Sequence, residues 1–223
     1  MSHNPEIIFF DVGNVLLRRR DDPLEIISRH LGVAVEPVRA AHKRLWQRPD
    51  AIRGWDEMRT YAQQVAFSEA TAVWHLQELG IEPQSDDVRF IERAWNNQTY
   101  VLASGAHDVL AYLAKRYRLG VISNAMPSRR IHELVDHNLI DYFDPIIISA
   151  ELGMRKPDLV IYQEALRLAG VVSEAAAFID DRVECLEGAL AAGFGRVILM
   201  REQAPLPTRY EAIQSLRQLK RMF

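Results

Sequence analysis

Residues Ile7–Phe10 are four apolar side chains in a row, and the run ends in Asp11 followed by Val12-Gly13-Asn14. A strand with one wet face alternates polar and apolar residues. An unbroken apolar run closed by turn residues instead predicts a strand buried on both faces, as in a parallel sheet covered by helices. Open sheets of that kind gather their reactive groups at the carboxyl ends of the strands, where Asp11 would lie. One such aspartate could be no more than a turn residue. Here the pattern recurs: Leu119–Ile122 runs into Ser123-Asn124, Pro145–Ile148 is followed by Lys156, and Ala176–Ile179 runs into Asp180-Asp181.

The stretches between these runs carry helical periodicity. Ala106–Tyr117, Arg129–Asn138, Asp158–Ala169 and Val183–Ala192 read as helices, Arg196–Met200 as a further strand, and the tail from Tyr210 as a last helix. Strands alternating with helices of this length predict a parallel sheet. Residues 18–100 differ. Pro23–Leu31, Pro37–Gln47, the Trp55-Met58-Ala62-Val65 series, Glu69–Leu79 and Val88–Trp95 all repeat apolar residues at helical steps, with Gly and Pro as stops and no strand pattern. The four tryptophans, Trp46, Trp55, Trp74 and Trp95, fall in this segment, which suits the core of a small bundle. The expected architecture is a three-layer, Rossmann-like α/β domain from residues 1–17 and 101–223. Its parallel strands take the order 3-2-1-4-5 with Asp11 on the central one, and residues 18–100 form an inserted helical cap.

Composition narrows the function classes. A net charge of −3 offers no general attraction to nucleic acid or to an anionic membrane surface. One cysteine, Cys185, excludes an internal disulfide and suits a reducing compartment. No apolar run nears the ~20 residues needed to span a bilayer, and Met1-Ser-His-Asn-Pro5 lacks the order of a signal peptide. A cytoplasmic protein acting on a small molecule is expected.

The motifs Phe10-Asp11-Val12-Gly13-Asn14, Ile122-Ser123-Asn124, Arg155-Lys156-Pro157 and Phe178-Ile179-Asp180-Asp181 resemble, in order, the four signatures of the haloacid-dehalogenase superfamily of hydrolases, most of which are phosphatases. The opening and Leu152-Gly153-Met154-Arg155-Lys156-Pro157 are most similar to a bacterial glucose-1-phosphate phosphatase and to the amino-terminal phosphatase domain of soluble epoxide hydrolases. The resemblance implies a nucleophilic Asp11, an aspartyl-phosphate intermediate, and Mg²⁺ held by Asp11, the Gly13 carbonyl, Asp180 and Asp181.

The chemistry of the residues agrees. An anionic carboxylate can attack a dianionic phosphate monoester only where the repulsion is neutralised, and a hard cation on carboxylate oxygens does this. Ser123 and Asn124 offer donors for phosphate oxygens, and Lys156 a point charge for both phosphate and Asp11. Position 13 departs from the pattern. Most phosphatases of the superfamily place there a second aspartate that protonates the leaving alcohol, whereas Gly13 has no side chain. Two alternatives to a phosphatase therefore stand: a ligand-binding protein with little or no turnover, and a 2-haloacid dehalogenase, which needs no metal but would bring a carboxylate substrate against Asp180-Asp181.

Overall fold

The computed structural model describes residues 4–58, 60–96, 100–125, 132–202 and 209–223. The described residues divide into two compact units, one of residues 4–18, 101–125, 132–202 and 209–223, the other of residues 19–58, 60–96 and 100.

The first unit is built on a parallel sheet. Its central strand β1 spans Ile7–Phe10, all four residues fully buried. A short strand β2 (Leu17–Arg19) follows and pairs with β3 (Tyr100–Leu102) in a separate two-stranded ribbon at the ends of the inserted segment, where no strand is expected. The sheet continues with β4 (Arg118–Ser123), β5 (Ile146–Ile148), β6 (Ala176–Asp180), β7 (Arg196–Met200) and β8 (Glu211–Ile213). Its order is β5-β4-β1-β6-β7-β8, every neighbouring pair parallel. The five strands read from sequence thus keep the expected 3-2-1-4-5 order, and β8 adds a sixth at the edge. The tail is therefore not one helix: β8 is followed by a 3₁₀ turn over Leu216–Arg221, entered through Gln218 Oε1, which accepts from the Ser215 amide at 3.0 Å.

Alternation along β1 sends Ile7 and Phe9 to one face and Ile8 and Phe10 to the other. On the first face Phe9, Phe178, Tyr162 and Phe194 form a tilted, edge-on aromatic group with centroids 5.7–6.2 Å apart. It is covered by the helices Leu159–Ala169 and Val183–Ala191. Gly120 on β4 permits this packing, since a Cβ there would stand 2.5 Å from the Phe9 ring. Beyond these, helix Ala106–Leu113 buries Val109, Leu110 and Leu113 and packs with the 3₁₀ turn of the tail. The helix expected over Arg129–Asn138 is observed from His132 to Asp136, and its first residues lie outside the described ones.

The second unit holds helices α1 (Pro23–Leu31), α2 (Val35–Leu45), α3 (Pro49–Glu57), α4 (Tyr61–Glu78) and α5 (Ser85–Asn96). Two helices expected around Val65 and from Glu69 are the single helix α4. A Thr60–Gln63 capping box starts it early, and Ser68, just before Glu69, is buried inside it. Leu24, Ile27, Val38, Ala72, Leu76, Val88 and Ile91 form its aliphatic core. Among the described residues no helix is long and apolar enough to cross a membrane.

The aromatic side of this unit contains two histidines that the fold keeps neutral. His42 of α2 stacks on Trp95 (4.8 Å, 17°) and on His75 of α4 (5.6 Å, 11°). Trp46 Nε1 donates to His42 Nε2 at 3.0 Å, and His75 Nδ1 contacts the Thr71 carbonyl at 2.7 Å. His42 Nδ1 and His75 Nε2 are buried with no partner among the described residues. Burial, then His75 and Arg19, push His42 down to about 4 against the pull of Asp22, and burial lowers His75 as well. The folded values lie below the unfolded ones, so the unfolded chain takes up protons first as pH falls. This unit should hold its full stability above about pH 6.5 and lose it toward pH 4, with His42 contributing about 1–2 kcal/mol after allowance for its partial exposure. Because all four tryptophans lie here, their fluorescence follows this unit's unfolding. Thermal midpoints read that way should fall from pH 7 to pH 5 in the wild type and fall less in His42→Gln. Parallel profiles would contradict the assignment.

Candidate active site

The carboxyl ends of β1, β4 and β6 bring together most of the residues singled out by sequence. Asp11 follows β1 directly and its amide donates to the Ile179 carbonyl at 2.9 Å, which ties it to the end of β6. Ser123 closes β4, Asp180 closes β6, and both are buried. Lys156 enters from the loop after β5 and the short helical turn Ser149–Leu152, and it is fully buried.

Lys156 Nζ lies 2.7 Å from Asp11 Oδ1 and 2.6 Å from Asp180 Oδ2, and 5.1 Å above the Phe178 ring. The other Asp180 oxygen accepts from the Arg182 amide at 2.9 Å. Asp180 thus shapes the turn into the next helix with one oxygen and faces the site with the other. Asp181 is held by Asn14, whose Nδ2 donates to Asp181 Oδ2 at 2.9 Å. Asn14 adopts a left-handed conformation (φ 57°), which asparagine tolerates better than most residues. Sequence inspection gives Asn14 no such role, because its partner lies 167 residues away. Arg182 does not pair with Asp181: its guanidinium donates to Cys185 Sγ at 2.9 Å and lies 3.9 Å from Glu184. Cys185 is fully buried and burial raises its thiol to about 12, which makes it an inert helix residue.

Asn124 is arranged differently from the simple phosphate donor suggested by sequence. Its Nδ2 donates to the Lys156 carbonyl and its Oδ1 accepts from the Lys156 amide, each at 2.8 Å. A phosphate oxygen would find only the second amide N–H of this side chain. At Gly13, a Cβ would meet only Asp11 Oδ2, at 3.9 Å, an ordinary contact.

Charge sets the chemistry of this group. Oxygens of Asp11, Asp180 and Asp181 lie within 4.8 Å of one another. Three carboxylates face the Lys156 ammonium and, without direct pairing, the Arg182 guanidinium, which leaves a surplus of negative charge in a largely buried space. Burial raises Asp11 to about 6, opposed by Lys156 and reinforced by Asp180 and Asp181; burial also raises Asp181, against the Asn14 hydrogen bond. For Lys156 burial works toward the neutral amine, but Asp11 and Asp180 outweigh it and hold the ammonium above its usual range. The lysine therefore stays charged, and the surplus rests on the carboxylates. A hard divalent cation matches both the oxygen donors and the missing charge, so the residues present fit Mg²⁺.

Comparisons with known proteins bear on the family. A family model described as haloacid dehalogenase-like hydrolase matches residues 58–199. That stretch contains Ser123, Asn124, Lys156, Asp180 and Asp181, while Asp11 and Gly13 precede it. The glyceraldehyde 3-phosphate phosphatase of Methanothermobacter thermautotrophicus is 33% identical over 90 residues, 40% of each chain. The human haloacid dehalogenase-like hydrolase domain-containing protein 3 is 36% identical over 109 residues, 48% of this chain and 43% of that one. The phosphoserine phosphatase of Thermus thermophilus is 33% identical over 100 residues, 43% and 40%. The chain thus covers about two fifths of the length of these relatives. Among solved structures, the hydrolase YfnB from Bacillus subtilis, bound to magnesium, superposes with a TM-score of 0.74 at 20% identity over 99% of both chains. An L-2-haloacid dehalogenase from Xanthobacter autotrophicus gives 0.69 at 20% over 98% of both. At these identities the structures speak for the fold alone. With its motif residues at the strand ends of that fold and a family match over most of its length, the chain belongs to the haloacid dehalogenase-like hydrolases.

Proposed function

We propose that this protein is a Mg²⁺-dependent phosphatase for a small phosphorylated metabolite, working through a phosphoryl group transferred to Asp11. The observation that carries the reading is the buried cluster in which Lys156 Nζ bridges Asp11 and Asp180 while Asp181 completes a set of three carboxylates. The named activities of the matched phosphatases support it.

Lys156 anchors Asp11 Oδ1 and leaves Oδ2 as the nucleophile. An ammonium has three N–H donors. Two are committed to Asp11 and Asp180, and the third is available for a phosphoryl oxygen. The Ser123 hydroxyl and the main-chain amides after β4 bind further phosphate oxygens. Attack by Oδ2 on phosphorus breaks the ester bond and releases the alkoxide, which takes a proton from water or from the substrate, since position 13 has no donor. Water then cleaves the acyl phosphate and restores the carboxylate. Asp11, Asp180, Asp181 and the Gly13 carbonyl would hold the cation, which would supply the positive charge that lets two anions meet. The helical segment of residues 18–100 acts in this scheme as a cap that selects the leaving group. A 2-haloacid dehalogenase shares the fold, but its carboxylate substrate would face the surplus negative charge without a cation to offset it.

Hydrolysis of p-nitrophenyl phosphate with Mg²⁺ and its loss with EDTA test the proposal. Chloride release from 2-chloropropionate without Mg²⁺, with no phosphatase activity, would sink it. Asp181→Asn should weaken Mg²⁺ binding ~10–100-fold in calorimetry, as it removes a charged oxygen from a hard-cation site. Because Asp11 takes up a proton below about pH 6, and a ligand must lose its proton to bind metal, wild-type Mg²⁺ affinity should rise with pH up to about 6 and level off above it. A flat profile from pH 5 to 7 would remove Asp11 from the ligand set.

A further inference from the structure

We propose that Asn124 is a positioning residue whose carboxamide sets where Lys156 stands, and that its main task is this rather than holding phosphate. The inference deepens the phosphatase reading and rests on it for its kinetic consequences only. The two 2.8 Å hydrogen bonds from Asn124 run to the amide and the carbonyl of one and the same residue, Lys156. A carboxamide presents one acceptor and one donor side by side, so it completes this main-chain unit as a neighbouring strand would. The pairing fixes both the position and the rotation of the Lys156 backbone.

The consequence lies at the far end of the side chain. Lys156 is fully buried, and its Nζ must meet two carboxylate oxygens at 2.6 and 2.7 Å at once. A shift of the backbone by a fraction of that distance would break one contact or the other. The loop also has a second support. Gly188 faces it so closely that a Cβ there would stand 2.6 Å from the Pro157 carbonyl and 2.8 Å from the Tyr162 ring, and the Tyr162 hydroxyl donates to the Cys185 carbonyl at 2.7 Å. The segment 156–157 is thus held between the end of β4 and the helix after β6, the same two elements whose strands flank β1. Only a side chain with both a donor and an acceptor satisfies the Asn124 position. Aspartate would set an oxygen against the Lys156 carbonyl, and alanine would leave both main-chain groups to other partners.

A readout independent of turnover is available because Lys156 is one of four lysines and the only one fully buried. Its ammonium should be shielded from exchange and give a sharp ¹H–¹⁵N correlation in ¹⁵N-lysine-labelled protein near neutral pH, where exposed ammonium groups exchange away. In Asn124→Ala that signal should shift and broaden or vanish, and Asn124→Gln, which keeps donor and acceptor on a longer arm, should restore it in part. With p-nitrophenyl phosphate, kcat of Asn124→Ala should fall ~10–100-fold with KM near the wild-type value. A phosphate-binding role would instead raise KM and the inhibition constant of inorganic phosphate while leaving the lysine signal in place. The proposal is overturned if the wild type shows no protected lysine ammonium. It is equally overturned if the signal is unchanged in a folded Asn124→Ala or, should that variant not fold, in Asn124→Asp. If the signal responds as expected but the wild type hydrolyses no phosphate ester, the positioning role stands and the phosphatase reading falls.

Discussion

Asp11→Asn should abolish turnover of p-nitrophenyl phosphate, by about 10⁴-fold or more, without lowering the stability of the protein. The first half follows from the chemistry of the intermediate, because a neutral amide oxygen does not form the acyl phosphate. The second half follows from charge. Asp11 lies buried among two more carboxylates that outnumber the cations near them, and burial holds its folded value at about 6, above the ordinary carboxylate value of 3.8. A carboxyl raised on folding is protonated more readily in the native state, so the stability it confers is present below about pH 4 and is lost as pH rises through 6. At pH 7 without metal, ionised Asp11 therefore opposes folding. Asparagine keeps an oxygen for Lys156 Nζ and removes the charge. The thermal midpoint without Mg²⁺ should stay level or rise, by about 2–4 °C for each kcal/mol relieved. Added Mg²⁺ should then stabilise the wild type more than the variant. Loss of activity accompanied by a clear fall in the midpoint would mean that Asp11 holds the fold together rather than serving a reaction.

Much of this site can be read from the order of residues because the fold repeats one device. Each buried strand is an unbroken apolar run, and the first polar residue after it must stand at the sheet's carboxyl edge; Asp11, Ser123 and Asp180 are placed by that logic alone. The parts that escape are those decided by contacts across the chain. Asn124 and Lys156 are 32 residues apart, and no periodicity reveals that an amide on one completes the main chain of the other. Asn14 reaches Asp181 only because β1 and β6 are neighbours. β8 shows three residues with only Ile213 buried, too weak a signal against the helical spacing of Leu216 and Leu219 that follows. β2 likewise buries only Leu17, and two arginines complete it. In α4 the apolar spacing allowed a separate start at Glu69, whereas the capping box at Thr60 opens one continuous helix.

Gly13→Asp should raise the turnover of alkyl phosphates while changing that of p-nitrophenyl phosphate little. A positioned acid is worth ~10²–10⁴-fold where the leaving oxygen needs a proton, and almost nothing where the leaving group is already a weak base. The wild-type protein offers no acid at this position, so its rates across phenyl phosphates of graded leaving-group pKa should fall steeply as the pKa rises, and the variant should flatten that slope. The backbone permits the change. A Cβ at position 13 meets nothing closer than Asp11 Oδ2 at 3.9 Å, and Gly13 does not adopt the left-handed conformation that would resist a side chain. Electrostatics works in the same direction. A fourth carboxylate would join a site where burial, and after it Asp180 and Asp181 against the pull of Lys156, already raise Asp11 to about 6. The new carboxyl should therefore retain its proton to a higher pH than a free aspartate, as a donor to a leaving alkoxide must. The gain should accordingly be largest on the acid side of neutrality and fade as pH rises and the carboxyl ionises. Equal and shallow slopes in wild type and variant would show that the proton already comes from elsewhere. In that case Gly13 is no defect, and the donor should be sought among the substrate's own hydroxyls or the polar side chains of residues 18–100.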